Sequence, residues 1–331
     1  MIKAVIIGSY GHYAYALDGK LPVDFSAVAP GVEGEPTDEV IGALSKRGST
    51  PKLYSDALRM LDEERPDIVI VNSRMDKNAF FSIEAMKRGA SVFCEKPAAT
   101  ELADLDRLIR AYNTAKTEKA NIVYASMFGI TFEPPFYTAR CAIERGAIGE
   151  VRLAQAQKSY KLGIREPFYA SRKMLGGMIP WVSVHGIDWL YTICGFRFKK
   201  VFAAHSDKYN GGNGELESSA VCTFVCDGEA IGTVSADYFR PSSSKKHGDD
   251  RLRAVGTKGV IEVRGGKTYI IDKDGEHDLP LEEPPLSLFD TVISEMLGEG
   301  KCPSDAETAF NVTRAALLAR ESADMGEIAV F

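Results

Sequence analysis

The lysine in Cys94-Glu95-Lys96-Pro97 sits where a side chain can do chemistry. It follows Ser91–Cys94, a run apolar enough for a strand buried on both faces. A lysine at the carboxyl end of a buried parallel strand points into the crevice where ligands bind in open α/β sheets. There an ammonium can hold a hydroxyl or carbonyl oxygen and stabilise negative charge on it during hydride transfer. Pro97 fixes the turn, with a cis bond as one way to do so.

A second chemical signal opens the chain. The apolar run Lys3–Ile7 ends in Gly8-Ser9-Tyr10-Gly11-His12. A strand running through such a turn into a helix suits a dinucleotide, whose pyrophosphate meets backbone N–H groups at the helix start. The glycine fingerprint is incomplete, because Tyr10 and Tyr13 hold its second and third glycine positions. A turn one residue longer lets Gly11 take the second place. The fingerprint also wants an acid after the second strand, Phe25–Ala29, and the chain has Pro30 there. Glu33 and Glu35 lie just beyond and can bend back to a ribose, whereas no arginine is placed for a 2′-phosphate. NAD and NADP both stay open. The expected cofactor-binding set is Gly8, Ser9, Tyr10, Gly11, His12, Pro30, Ser73, Glu95 and Lys96.

The elements that must position these residues alternate strand and helix through the first third. Asp67–Val71, Ser91–Cys94 and Ile122–Ala125 read as further buried strands. Between them, Ser55 or Asp56 can cap one helix, Gly89 can end the next, and Glu101–Ala115 forms another. This is the pattern of a doubly wound parallel sheet with right-handed crossovers. Beyond residue 125 the runs lengthen and alternate, as in Val151–Tyr160, Ser218–Val225 and Glu229–Tyr238, which predicts a large, mostly antiparallel sheet covered on one face. Helices are expected at Tyr137–Arg145, His185–Cys194, Leu286–Leu297 and Ala306–Ala323, with loops at Gly211–Gly214 and Pro241–Asp250. The expected division is a dinucleotide-binding Rossmann domain over 1–124 and an α+β domain for substrate and oligomerisation over 125–331.

Composition excludes several classes. The chain of 331 residues has 45% hydrophobic and 26% charged residues and a net charge of -6, a mix that argues against nucleic-acid or anionic-membrane partners. It shows no G-x-S-x-G elbow, H-E-x-x-H helix or P-loop lysine, and no signal peptide is evident. The scattered cysteines read as reduced thiols, so a cytoplasmic address is expected. Cys222 and Cys226 share one strand face but lack further ligands, and no metal is expected.

Taken together these residues resemble the Gfo/Idh/MocA family, whose members include glucose-fructose oxidoreductase and inositol dehydrogenase. The markers are the Gly8 turn, Ala85–Pro97 (AMKRGASVFCEKP), Arg145–Val151 (RGAIGEV), Gly176-Gly177 followed by His185 and Asp188, and Asp250–Val263 (DRLRAVGTKGVIEV). The resemblance implies an NAD- or NADP-dependent oxidoreductase moving a hydride between nicotinamide and a secondary alcohol or ketone of a sugar, inositol or related polyol. It implies Lys96 and His185 as the active-site pair: histidine takes the hydroxyl proton while lysine holds the oxygen. Histidine titrates near neutrality and suits that role. Asp188, one helical turn on, can share its face and contact substrate or orient the ring.

Two positions depart from the family. Trp181 stands where an aspartate usually precedes the histidine by four residues, and Asn78 where a histidine is common. Trp181 admits three readings: a wall for a different substrate beside a working Lys96 and His185, an NAD-dependent transient-redox glycosidase or lyase, or an inactive sugar- or dinucleotide-binding regulatory protein. Pro180 also suggests a later helix start. Arg172, Tyr160 and Lys161 are candidate substrate contacts with Trp181, and Arg165 and Lys173 accompany them; a solvated basic loop is the plainer reading of most of these. Arg240 and His247 flank a loop that could cover the site. Relatives pair through the exposed face of the second sheet, which implies a homodimer or homotetramer.

Overall fold

The computed structural model describes Met1–Phe331, in two compact units. The first unit is Met1–Met127 with Leu286–Phe310, and the second is Phe128–Pro285 with Asn311–Phe331. The first boundary thus falls after residue 127 rather than 124, and a late segment returns to the first unit. Packing explains the return. In the helix Leu288–Leu297, Phe289 stacks 5.3 Å from Phe93 and 6.3 Å from Phe25, and the Asp290 carboxylate accepts from the N–H groups of Lys20 and Leu21.

In the first unit six parallel strands, β1 (Ile2–Ile7), β2 (Val23–Ala29), β3 (Lys52–Leu53), β4 (Ile68–Val71), β5 (Ser91–Cys94) and β6 (Tyr124–Ser126), lie in the order β3-β2-β1-β4-β5-β6. This is the Rossmann order, with its reversal between β1 and β4. All residues of β4 and β5 are buried, which accounts for their unbroken apolar runs. The connecting helices are α1 (Ala14–Leu17), α2 (Asp38–Lys46), α3 (Ala57–Glu64), α4 (Asn78–Lys87) and α5 (Leu102–Glu118). Asp56 caps α3 by accepting from the N–H groups of Leu58 and Arg59. The helix expected after the glycine turn is only the four residues of α1. It stops where Gly19 packs so closely on Phe289 that a Cβ would lie 2.9 Å from its ring.

The second unit holds a nine-stranded sheet of β7 (Val151–Tyr160), β8 (Phe198–Ser206), β9 (Ser219–Cys226), β10 (Ile231–Asp237), β11 (Gly248–Gly256), β12 (Val260–Arg264), β13 (Lys267–Asp272), β14 (Gly275–Asp278) and β15 (Ala329–Val330). Its order is β14-β13-β12-β11-β7-β10-β9-β8-β15, antiparallel except between β7 and β10. Gly248–Asp250, expected in a loop, instead extends β11, with Asp250 opposite Lys158 and Gly248 opposite Tyr160. The long β7 edge supplies ladder partners that composition alone does not reveal. Helices α6 (Pro134–Glu144), α7 (Arg172–Leu175) and α8 (Val184–Thr192) follow in this unit. α8 descends onto β7 and β10 at Gly186, where a Cβ would come 2.6 Å from Val234 and 3.1 Å from Ala156. The opposite face of the sheet exposes Phe202, Val221, Val225 and Ile231.

Candidate active site

In the first unit the carboxyl ends of β1, β2, β4 and β5 gather the expected cofactor residues. Gly8 has φ +80°, and its N–H donates to the carbonyl of Ala29 at the end of β2. A Cβ here would approach Ser73 Cα to 2.6 Å and the Asn72 carbonyl to 2.7 Å, so the turn requires glycine. Gly11, at φ +101°, packs on Glu95, whose Cδ a Cβ would meet at 2.6 Å. Gly11 thus takes a left-handed glycine role, though its neighbour is a carboxylate of the protein itself. Tyr10 lies half-exposed on the turn.

The turn's donors are partly used within the chain. The buried Glu95 carboxylate accepts from His12 N–H at 2.5 Å, lies 2.9 Å from His12 Nδ1, and accepts from Lys96 N–H at 3.0 Å. Burial opposes charge on Glu95, but the charge and hydrogen bonds of His12, with help from Lys96, outweigh it and hold the carboxyl below its ordinary value. Lys96 itself is 1% exposed, with Nζ 3.8 Å from Glu95 Oε1. The Lys96–Pro97 bond is cis. Asn78 spans this bond from α4, its Nδ2 donating to the carbonyls of Glu95 at 3.0 Å and Pro97 at 2.9 Å. Sequence showed Asn78 only as a departure from the family; in the structure it holds the lysine turn.

Two further residues stand here: Glu35, one of the two acids expected to bend back, and Asn72, which sequence reasoning missed. Glu35 is buried, and Ser73 Oγ donates to it at 3.0 Å. Asn72 is fully buried after β4, and neither polar atom of its amide has a hydrogen-bond partner in the chain. Buried amides are normally paired, so this one points to a ligand. At the end of β2 opens a cleft of about 350 Å³ whose lining includes Pro30, Gly31, Val32, Glu33, Leu58 and Phe80.

The second unit carries the other set. Gly176 and Gly177 both have φ +94°, and Glu217 seals the turn by accepting from Met178 N–H at 2.8 Å. The chain is helical from Ile179, as a π-helical turn over Ile179–Ser183 that runs straight into α8, rather than starting later as Pro180 suggested. Trp181 is 7% exposed and meets Tyr169 edge-on at 5.8 Å. His185 and Asp188 are both buried on α8. Burial pushes the Asp188 carboxyl well above the ordinary range, against smaller opposing effects of Thr192 and Arg140.

The basic residues before the double glycine do not form one wall. Arg172 donates through Nη2 to both Asp324 carboxylate oxygens at 2.6 and 2.7 Å, and its Nε lies 3.4 Å from Glu217. Lys161 donates to the carbonyls of Ser242, at 3.0 Å, and Ser244, which fastens the loop before β11. Tyr160 stacks against His247 at 5.1 Å. Sequence reasoning missed Lys158, which is 1% exposed, paired with Asp250, and 4.7 Å over the Tyr160 ring. Its signal was there: it occupies an inward position of β7 in register with Ala154 and Ala156. Cys222 and Cys226 are buried thiols pushed up to about 12 by burial.

A model of the oxidoreductase family with an NAD-binding Rossmann fold matches residues 35–122, and one of the GFO/IDH/MocA C-terminal domain matches 136–262. A solved structure from Thermotoga maritima, named only as an oxidoreductase, shares 39% identity and covers 100% of both chains with a TM-score of 0.95. The chain belongs to the Gfo/Idh/MocA oxidoreductase family. Among its relatives, myo-inositol 2-dehydrogenase of Thermotoga maritima is 27% identical over 243 residues, 70% of this chain and 68% of the relative. Inositol 2-dehydrogenase of Rhizobium meliloti is 25% identical over 217 residues, 62% of this chain and 59% of the relative.

As a Gfo/Idh/MocA protein the chain has an NAD-binding Rossmann unit, and its residues fit that cofactor. The Asn72 amide without a partner and the Gly8 turn lie at the carboxyl ends of β4 and β1, and the cleft at Pro30 at that of β2, the side of the sheet on which such a unit takes its dinucleotide. Lys96 stands at the end of β5, one strand beyond the switch point in the sheet order. No helix is long and apolar enough to cross a membrane.

Proposed function

We propose that this chain is an NAD-dependent dehydrogenase acting on a secondary alcohol, or the matching ketone, of inositol, a sugar or a related polyol. The observation that carries the reading is Lys96: a buried ammonium at the carboxyl end of a Rossmann strand, its backbone fixed by Asn78 and its neighbour Glu95 tied to the glycine turn. The names of the inositol dehydrogenase relatives support the substrate class.

A bound nicotinamide would supply the hydride acceptor or donor. The rest falls to side chains. In oxidation Lys96 Nζ holds the substrate oxygen and stabilises charge as its proton leaves. His185 accepts that proton, so the carbon loses a hydride, the oxygen a proton, and a carbonyl forms. Asp188, whose carboxyl burial pushes toward the protonated form, sits one helical turn from His185 and supports it rather than acting as a second base. Trp181 and Tyr160 offer aromatic faces to the C–H faces of a ring, and Lys161 and Arg172 steady the framework around them. The exposed apolar residues Phe202, Val221, Val225 and Ile231 suit pairing of two copies through the second sheet, which sedimentation would detect as a dimer or tetramer.

The test is to incubate purified protein with NAD and a panel of inositols, aldoses and polyols and to follow reduced nicotinamide. Turnover with at least one member is expected. No reduction with any of them, while NADH binds, would overturn the dehydrogenase reading.

A further inference from the structure

The acid that normally meets the adenosine ribose is absent from the end of β2, where Pro30 stands. The structure supplies one by another route. After Pro30 the chain turns through Gly34, at φ +75°, and brings Glu35 back, 6% exposed, against the glycine turn. Its Oε1 accepts from Ser9 N–H at 2.9 Å, while Oε2 accepts from Gly31 N–H at 2.8 Å, Val32 N–H at 3.2 Å and Ser73 Oγ at 3.0 Å. A Cβ on Gly8 would lie 2.6 Å from Oε1, so the carboxylate rests on the first glycine of the turn. Glu33, the other acid of this loop, is exposed and lines the cleft at Pro30 without a hydrogen bond to the glycine turn.

The donors are unequally shared. A carboxylate offers about four lone-pair sites, two on each oxygen. Oε2 is saturated, whereas Oε1 has one donor and keeps an acceptor for a hydroxyl. The cleft at Pro30 is lined by Gly31 and Val32, whose N–H groups donate to Glu35, and by Glu33, Leu58 and Phe80, with a volume within the small-ligand range. Nothing nearby welcomes a phosphate: Arg74, in the turn after β4, is held by Asp76 through two hydrogen bonds at 2.6 and 2.9 Å.

We propose that Glu35 is the residue that recognises the ribose diol of the adenosine and makes this chain specific for NAD over NADP. The proposal rests on the dinucleotide reading above. A hydroxyl donates to Oε1. A 2′-phosphate would instead set about two negative charges against a buried carboxylate with no free cation beside it.

The experiment is a fluorescence titration with NADH and NADPH of the wild type, Glu35→Gln, Glu35→Asp and Glu33→Gln, with a thermal melt of each. The wild type is expected to bind NADH at least about 100-fold more tightly than NADPH, since like charges in contact cost several kcal/mol. Glu35→Gln should narrow that ratio about tenfold or more. Glu35→Asp keeps the charge on a shorter arm, so it should weaken NADH binding while NADPH stays excluded. Glu33→Gln should leave the ratio unchanged. Equal wild-type affinities, or a ratio that follows Glu33 instead of Glu35, would overturn the proposal. If Glu35→Gln fails to fold, the Glu35→Asp and Glu33→Gln ratios decide alone. Failure of the wild type to bind either nucleotide would overturn the dinucleotide reading itself.

Discussion

Glu95 and His12 are joined twice, through the His12 backbone N–H at 2.5 Å and its Nδ1 at 2.9 Å, so one carboxylate couples the glycine turn to the residue before Lys96. Removing its charge should loosen both. Charge-assisted hydrogen bonds contribute roughly 1.5–3 kcal/mol, so Glu95→Gln should weaken NADH binding about 10- to 100-fold. The carboxyl is held low in the folded state. Its stabilisation is therefore complete above the ordinary glutamate value of about 4.3 and is lost as pH falls through the lower folded value. Melts of wild type and Glu95→Gln across the acid range check this. Parallel acid limbs would show that the pair adds nothing to stability.

Lys96→Met and His185→Ala separate chemistry from cofactor binding. Each should lower kcat by about 10²- to 10⁴-fold, the usual range for a lost proton-transfer group or oxyanion partner. NADH affinity, read by fluorescence, should stay within roughly threefold of wild type, a change under 1 kcal/mol. Full activity in both variants would remove these residues from the reaction.

Asp188 gives a prediction of opposite sign in pH. Its carboxyl, raised by burial, keeps a proton that the unfolded chain has lost. The favourable situation holds below the unfolded value of about 3.9, and stability erodes as pH climbs above it toward the folded value. Asp188→Asn removes that erosion with nearly the same shape. The variant should melt higher than wild type, by roughly 2–4 °C for each kcal/mol relieved, and the gap should be wider at pH 8 than at pH 5. A gap independent of pH would mean that Asp188 ionises freely.

Gly177→Ala probes the turn that leads into the π-helical segment. The substitution places a Cβ 3.0–3.1 Å from the Glu217 carboxylate at φ +94°. Left-handed backbone alone costs a side chain about 1–2 kcal/mol, and the contact adds to it. Gly265→Ala, also at positive φ but with open space around it, is the control. Denaturation midpoints should fall further for Gly177→Ala, and equal losses would show that Glu217 yields without cost.

Much of the fold was legible because buried parallel strands write themselves as unbroken apolar runs: Ser91–Cys94 was read to the residue, and Val151–Tyr160 by its alternation. The lysine turn was legible for the same reason, since a charged residue directly after such a run is conspicuous. Glu35 was only half legible. Its composition as one of two acids after Pro30 was plain, but which of them turns inward depends on donors from Ser9 and Ser73, far away in sequence. Asn78 and Lys158 were missed or misread because their partners, the Pro97 carbonyl and Asp250, meet them only after folding. The shortness of α1 was not legible, because the close approach of Gly19 to Phe289 involves residues at opposite ends of the chain.

That last contact bears on how the protein is made. Phe289 covers Phe25 and Phe93, and the segment that carries it, Leu286–Phe310, belongs with Met1–Met127. A ribosome must therefore deliver nearly the whole polypeptide before the nucleotide-binding half can close over its own apolar floor. Until then those rings stay open to any passing chaperone or neighbouring chain. A gene fragment cut after residue 127 would inherit that unfinished state permanently, and a usable minimal version needs residues 286–310 spliced back on.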